Sequence, residues 1–213
     1  MRFILLVEGD TEHAALPEFL KRWLDPKLSQ RVGIRAVNLG GNGEYVKEVA
    51  KMAAKQLNDP KRQEIIAVIG LLDLYGLPRD FFPPNLSDAQ ERYSWAKQEL
   101  EKRVGQAKFR QFFAVHDVEA WLLSNPDNKY FPQQIKNALR RVTVNPEAVN
   151  FDQPPAELLI KLYREKLKNR EYRKVPDGCD LFRELDPEIA YRKCPRLKEM
   201  LDEMLELAKE NGN

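Results

Sequence analysis

The sequence predicts an α/β fold: a mostly parallel sheet with helices on both faces, followed by a helical C-terminal extension. Through about residue 125, short β-like runs, the first of them continuously apolar, alternate with longer stretches whose apolar residues recur at helical spacing. Runs apolar at every position suit strands covered on both faces, as in parallel sheets. Beyond residue 125 the β-like runs stop, and helical stretches with proline-rich starts remain.

The elements follow in order. "RFILLVE", bounded by Gly9, is the first strand. "TEHAALPEFLKRWL" is a helix with Ala15, Phe19, Leu20 and Trp23 at helical spacing, and Pro17 inside it. "GIRAVNLGG" is the second strand, and "GEYVKEVAKMAAKQLND" a helix with Val46, Val49, Ala50 and Ala53 on one stripe. "EIIAVIGLLDLYG" is the third and most strand-like run. After the proline-rich loop "LPRDFFPPNLSD", "AQERYSWAKQELEKRV" reads as a helix and "RQFFAVHD" as the fourth strand. Then come "PQQIKNALRRV", "PPAELLIKLYREKLK" and "CPRLKEMLDEMLELAKE", all helical. This divides the chain into an α/β domain over 1–125 and a helical extension over 126–213 packed on it. The 213 residues suffice for one substantial core.

Composition narrows the function classes. No apolar run reaches the length that crosses a bilayer, and no cleavage site follows the first apolar stretch, so a cytoplasmic protein is expected, with no membrane partner. Cys179 and Cys194 form no C-x-x-C pair, and His13 and His116 are the only histidines, which argues against structural zinc and against a disulfide. A formal charge of +2 announces no polyanion partner; a local patch would have to supply one.

The chemistry rests on where the acids fall. Glu8 ends the first strand, Glu12 lies in the first turn of the next helix, and Asp73 ends the third strand. His116, Asp117 and Glu119 follow the fourth. In an open parallel sheet these positions share the edge where ligands bind. Converging carboxylates repel and raise one another's pKa unless a cation sits among them. Oxygen-only ligation is the pattern of Mg²⁺ or Mn²⁺, which stabilise charge on phosphoryl groups. The plainer alternatives are Asp10 or Thr11 as helix cap, Glu12 favoured by the helix dipole, and Glu119 capping a helix within "HDVEAWLL". Helical spacing would also put His116 and Glu119 on one face if that helix has begun by His116.

"LLVEGDTE" followed by "LLDLYG" resembles the TOPRIM fold of topoisomerases, primases and OLD-type nucleases. "VEGDTE", "DLYGLP", "HDVEAWLLSNP", "PPAELLIKLY…YRKVPDG" and "CPRLKEML" occur in the order of the TOPRIM-like family known as domain of unknown function 4276, across nearly the whole chain. By this resemblance Glu8 is the general acid/base or metal ligand, Glu12 the second acid of an "EGxTE" motif, and Asp73 the first aspartate of a D-x-D metal motif. The second aspartate position holds Tyr75. Either Glu119 supplies the missing carboxylate or metal binding is weaker. Tyr75 itself suits a packing or hydroxyl-donor role better than that of a nucleophile.

The implied activity is Mg²⁺- or Mn²⁺-dependent cleavage of DNA or RNA, by an effector in antiphage defence. Glu8, Asp73 and Glu119 are expected to hold metal, Glu12 to assist, and Tyr75 and His116 to be accessory. The rival is a non-catalytic module that binds an ABC- or SMC-like ATPase, a partner class the resemblance also implies; a homo-oligomer fits either. "KLYREKLKNREYRK" (161–174) offers Lys161, Arg164 and Lys168 near one face, with Tyr163 and Tyr172 interleaved, as a nucleic-acid patch. "LGGNGEYVK" reads as a tight strand-to-helix turn, without a phosphate-loop pattern.

Overall fold

The computed structural model describes residues 1–86, 88–142, 145–148, 154–168 and 170–212. Four strands, β1 (Arg2–Val7), β2 (Gly33–Asn38), β3 (Ile65–Asp73) and β4 (Phe109–Ala114), form a sheet in the order β2-β1-β3-β4. Every pair in it is parallel. Between the strands lie α1 (Asp10–Leu24), α2 (Asn42–Leu57) and α3 (Ala89–Val104). After β4 come α4 (Glu119–Leu123), α5 (Gln133–Val142), α6 (Pro155–Lys166), α7 (Lys174–Glu184), α8 (Pro187–Lys193) and α9 (Pro195–Glu210).

Strand alternation sorts the core into two layers. Phe3, Leu5 and Val7 of β1 face one side, where they join Phe19, Leu20 and Trp23 of α1 and the apolar faces of α4 to α9. Ile4 and Leu6 face the other, against Tyr45 and Val49 of α2 and Tyr93, Ala96 and Leu100 of α3. The C-terminal helices and α1 therefore share one continuous apolar cluster. Every residue of the central strand β3 is buried, as its unbroken apolar run foretells.

Gly70 in β3 is where two buried polar groups meet. The Tyr45 hydroxyl donates to Gln111 Oε1 at 2.9 Å directly beside it, and a Cβ on Gly70 would overlap both atoms. Only glycine leaves room for that bond inside the sheet.

Helices α7 and α8 depart from the sequence reading, which has no helix over 174–193. Pro176 and Gly178 in "KVPDGCD" disguise α7. Pro176 lies in the first turn, where its missing N–H has no helical partner to lose. Gly178 lets α7 approach α1: a Cβ there would stand 3.0 Å from the Thr11 methyl. The sheet is also wholly rather than mostly parallel. No helix among the described residues is long and apolar enough to cross a membrane.

Candidate metal centre

Because the strands are parallel, the carboxyl ends of β1, β3 and β4 open on one edge. Glu8 follows β1 directly, and its carbonyl accepts the Gly41 N–H at 2.7 Å, which fixes the strand end to the start of α2. Gly40 and Gly41 both have positive φ, +83° and +99°, and form the tight turn the sequence indicates. Helix α1 starts with Gly9 as N-cap and no side-chain cap. Neither capping explanation for the neighbouring residues holds: Asp10 Oδ1 accepts from Asn38 Nδ2 at 2.8 Å, and the Thr11 hydroxyl donates to the Lys174 carbonyl at 3.3 Å. Gly9 instead makes space, since a Cβ there would come 2.6 Å from Glu12 Oε2. Glu12 can thus fold back toward the strand ends. One carboxylate oxygen each from Glu8, Glu12 and Asp73 lies within 4.8 Å of the other two.

These groups are withdrawn from water. Glu12, Asp73, Asp117 and Glu119 are all buried. Glu8 Oε2, Glu12 Oε1 and Asp117 Oδ1 are buried oxygens without a hydrogen-bond partner. Lys174, at the start of α7, brings an ammonium to within 4.0 Å of Asp73 Oδ2 and 3.8 Å of Glu119 Oε2. Burial pushes the Glu8 carboxyl up to about 7; the hydrogen bond with Asp73 opposes this and the Glu12 charge adds to it. Burial, then Glu8, hold Asp73 well above the ordinary range. Burial lifts Asp117 to about 6 against the Ala156 N–H that donates to it at 3.2 Å. Glu119 rises to about 8 by burial, with Lys174 pulling the other way. Burial disfavours the Lys174 ammonium, but Glu119, Asp73, Glu12 and Asp117 together raise its pKa above the ordinary value.

A hard divalent cation fits this donor set. Oxygen ligands alone converge, buried oxygens lack partners, and one ammonium faces five carboxyl groups.

Residues 7–205 match the family described as "Domain of unknown function (DUF4276)". The chain belongs to this family. It is also similar to the solved C-terminal region of the Burkholderia pseudomallei OLD protein, at 19% identity over 95% of this chain and 98% of that one, with a TM-score of 0.45. The corresponding region of the Xanthomonas campestris pv. campestris OLD protein shares 16% identity over 95% of this chain and 97% of that one, with a TM-score of 0.40. A comparison with curated proteins found no match.

The remaining residues singled out in this DUF4276 sequence fall differently. Glu119 is fully buried at the first position of α4, and its oxygens meet the Tyr172 hydroxyl at 3.5 Å and Lys174. It is not among the three acids that converge, and its helix has no side-chain cap. His116 precedes α4, so the shared helical face with Glu119 does not form; its carbonyl accepts the Tyr75 N–H at 3.2 Å. Tyr75 is 52% exposed, and its backbone N–H is the one that the His116 carbonyl accepts. Tyr163 and Tyr172 are buried edge to face with ring centroids 5.6 Å apart, so neither offers a face to a base. Lys161 and Arg164 are exposed on α6, whereas Lys168 lies beyond its end. Lys174 is the residue that sequence reasoning missed. Its signal, "YRKVPDG", is one lysine in a run of basic residues.

Proposed function

We propose that this protein is a divalent-metal-dependent nuclease that hydrolyses phosphodiester bonds in DNA or RNA. The observation that carries this reading is the convergence of Glu8, Glu12 and Asp73 at the carboxyl edge of the sheet. Glu8, Asp73 and Glu12 would hold Mg²⁺ or Mn²⁺. Such an ion supplies Lewis-acid stabilisation of phosphoryl charge and a more acidic bound water.

The chain's own groups do the rest. Without an ion the Glu8 carboxyl sits at about 7, so near neutral pH it readily gives up its proton to become a ligand when an ion binds. Lys174 sets a positive charge beside the acids, where the oxygens of a phosphate need it, and the buried Glu119 and the Tyr172 hydroxyl hold that corner of the site in place. Asp117 ties the start of α6 to the end of β4 through the Ala156 N–H. The resemblance to TOPRIM-like proteins supports an effector role in antiphage defence, alongside an ABC- or SMC-like ATPase.

Incubation with plasmid, single-stranded DNA and RNA in Mg²⁺ or Mn²⁺ tests the reading. Wild type should cut at least one of these only with metal, and Glu8→Gln should lose about 10²-fold or more in rate. Equal activity in the two proteins would overturn it.

The exposed Tyr75, where a second metal-binding aspartate stands in the resembled superfamily, favours a second reading: a non-catalytic module that docks on an ATPase. Calorimetric titration separates them. No heat with Mg²⁺ or Mn²⁺, even with nucleic acid present, would favour the module.

A further inference from the structure

Resting on the phosphodiesterase reading, we infer that Asp177 is a positioning residue of this site: its buried carboxylate fixes the turn that aims the Lys174 ammonium at Asp73 and Glu119. Asp177 lies in the first turn of α7, and only 4% of it is exposed. A carboxylate taken out of water is unfavourable unless the chain supplies donors to it. Here they come from the turn just before Lys174. The Arg173 N–H donates to Asp177 Oδ2 at 2.7 Å, and the Arg173 guanidinium to Oδ1 at 3.4 Å. The Arg170 guanidinium donates to that same Oδ1 at 3.2 Å. One side chain thus ties the end of the α6–α7 connection to the helix that begins at Lys174.

Both neighbours of Arg173 are held to the site by other contacts. On one side the Tyr172 hydroxyl meets Glu119 Oε1 at 3.5 Å, and its ring packs edge to face on Tyr163. The Arg170 guanidinium lies 5.7 Å from the centre of the same Tyr163 ring, so the arginine is braced by aromatic and carboxylate together. On the other side the Lys174 carbonyl accepts the Thr11 hydroxyl of α1 at 3.3 Å. A Cβ on Gly178 would stand 3.0 Å from the Thr11 methyl and 3.3 Å from the Tyr172 hydroxyl, so α7 seats closely against both. Between these anchors, the path of the backbone is set at Arg173, and the Arg173 N–H is the group that Asp177 holds.

A lysine needs this support more than other cations do, because its ammonium rides on a flexible four-carbon stem. The Lys174 ammonium stands 4.0 Å from Asp73 Oδ2 and 3.8 Å from Glu119 Oε2, ion-pair separations too long for hydrogen bonds. Its side chain is 46% exposed, so packing does not confine it either. What directs it is where its backbone starts. A first-turn acid is favoured by the helix dipole alone, and that accounts for a carboxylate near the start of α7. It does not account for a buried carboxylate that gathers the preceding N–H and two guanidinium groups.

The test reads Lys174 directly, by carbon-13 NMR of the full chain with reductively dimethylated lysines, in EDTA. Wild type should show one methyl signal set apart from those of the exposed lysines and missing in Lys174→Met. Asp177→Ala should move that signal to the exposed-lysine position. Asp177→Asn, which keeps an acceptor for the Arg173 N–H but no charge, should move it part of the way. Cleavage in Mn²⁺ gives the second readout. Lys174→Met should cut on the order of 10²-fold more slowly. Asp177→Ala should lose at least about tenfold, and Lys174→Met/Asp177→Ala no more than Lys174→Met alone, because the two changes remove one effect. No distinct Lys174 signal in wild type would overturn the inference. So would a signal left in place in folded Asp177→Ala, or in Asp177→Asn should the alanine variant not fold, and so would rate losses that multiply in the double variant. Failure of the nuclease reading looks different: the signal moves as stated, and none of these proteins cleaves.

Discussion

Glu8 is asked to do two things that conflict: sit among other acids out of water, and be ready to lose its proton. Its carboxyl is held at about 7, chiefly by burial. At pH 8 the metal-free protein must keep a charge there that the unfolded chain would keep in water. Replacing it by glutamine removes that charge, keeps the shape and keeps a partner for Asp73. Glu8→Gln is therefore expected to raise metal-free stability at pH 8, by on the order of 1–3 kcal/mol, while losing cleavage. Urea unfolding in EDTA measures this, and a less stable variant would show that Glu8 is held by bonds rather than strained by neighbours. The same residue shows why part of the site was legible. A strand end on a parallel sheet is a position that sequence alone can place, so Glu8 and Asp73 could be brought to one edge without coordinates. Lys174 could not, because its contact with Asp73 depends on how α7 docks on α1, and nothing in "REYRK" distinguishes one cation from the next.

Elements were legible where one physical signal dominated. The inner strands β1 and β3 announce themselves because a parallel strand covered on both faces is apolar at nearly every position, and α2 and α9 because each carries a clean amphipathic stripe. Helix α7 fails that test: a proline in its first turn and a glycine in its middle are both breakers by propensity, and only the close approach to Thr11 explains the glycine. Gly70 makes a parallel case inside β3, where the local sequence favours any β-branched residue and the three-dimensional neighbours forbid one. The overlap with the Tyr45 hydroxyl and Gln111 Oε1 means that Gly70→Ala must break a buried hydrogen bond or shift a strand. A loss of about 2–4 kcal/mol is expected. In Tyr45→Phe/Gly70→Ala the combined loss should be smaller than the sum of the single losses, because the first change removes an atom the second collides with. Additive losses in denaturant titrations would mean that the strain lies elsewhere.

At the scale of the whole molecule, the site is a joint between the sheet edge and the C-terminal helices, and its charges link metal, protons and folding. Glu8, Asp117 and Glu119 have folded pKa values near 7, 6 and 8, above the values of about 4 that the unfolded chain would show. Between roughly pH 4.5 and 8 the folded state therefore holds more protons than the unfolded one, so metal-free stability must fall as pH rises through that window. This is opposite to an ordinary salt-bridged carboxylate, whose stabilisation is lost on acidification. Lys174 has the same sign, but its raised pKa lowers stability only as pH passes its unfolded value near 10.5, outside the window. A divalent ion takes the deprotonated acids, and only the folded chain presents them together, so its stabilisation must grow over the same pH range. At a hundredfold excess over its dissociation constant an ion adds about 2.7 kcal/mol, and a chain of this size gains roughly 2–4 °C in Tm for each kcal/mol. Melting curves from pH 5 to 8 should thus show the EDTA sample losing Tm while the Mn²⁺ sample stays nearly level, with the gap widest at pH 8 and much reduced in Glu8→Gln. A gap that is constant with pH, or an EDTA curve that rises toward pH 8, would mean that the acids are neutralised by the chain itself and that Lys174 already does the work assigned to the ion.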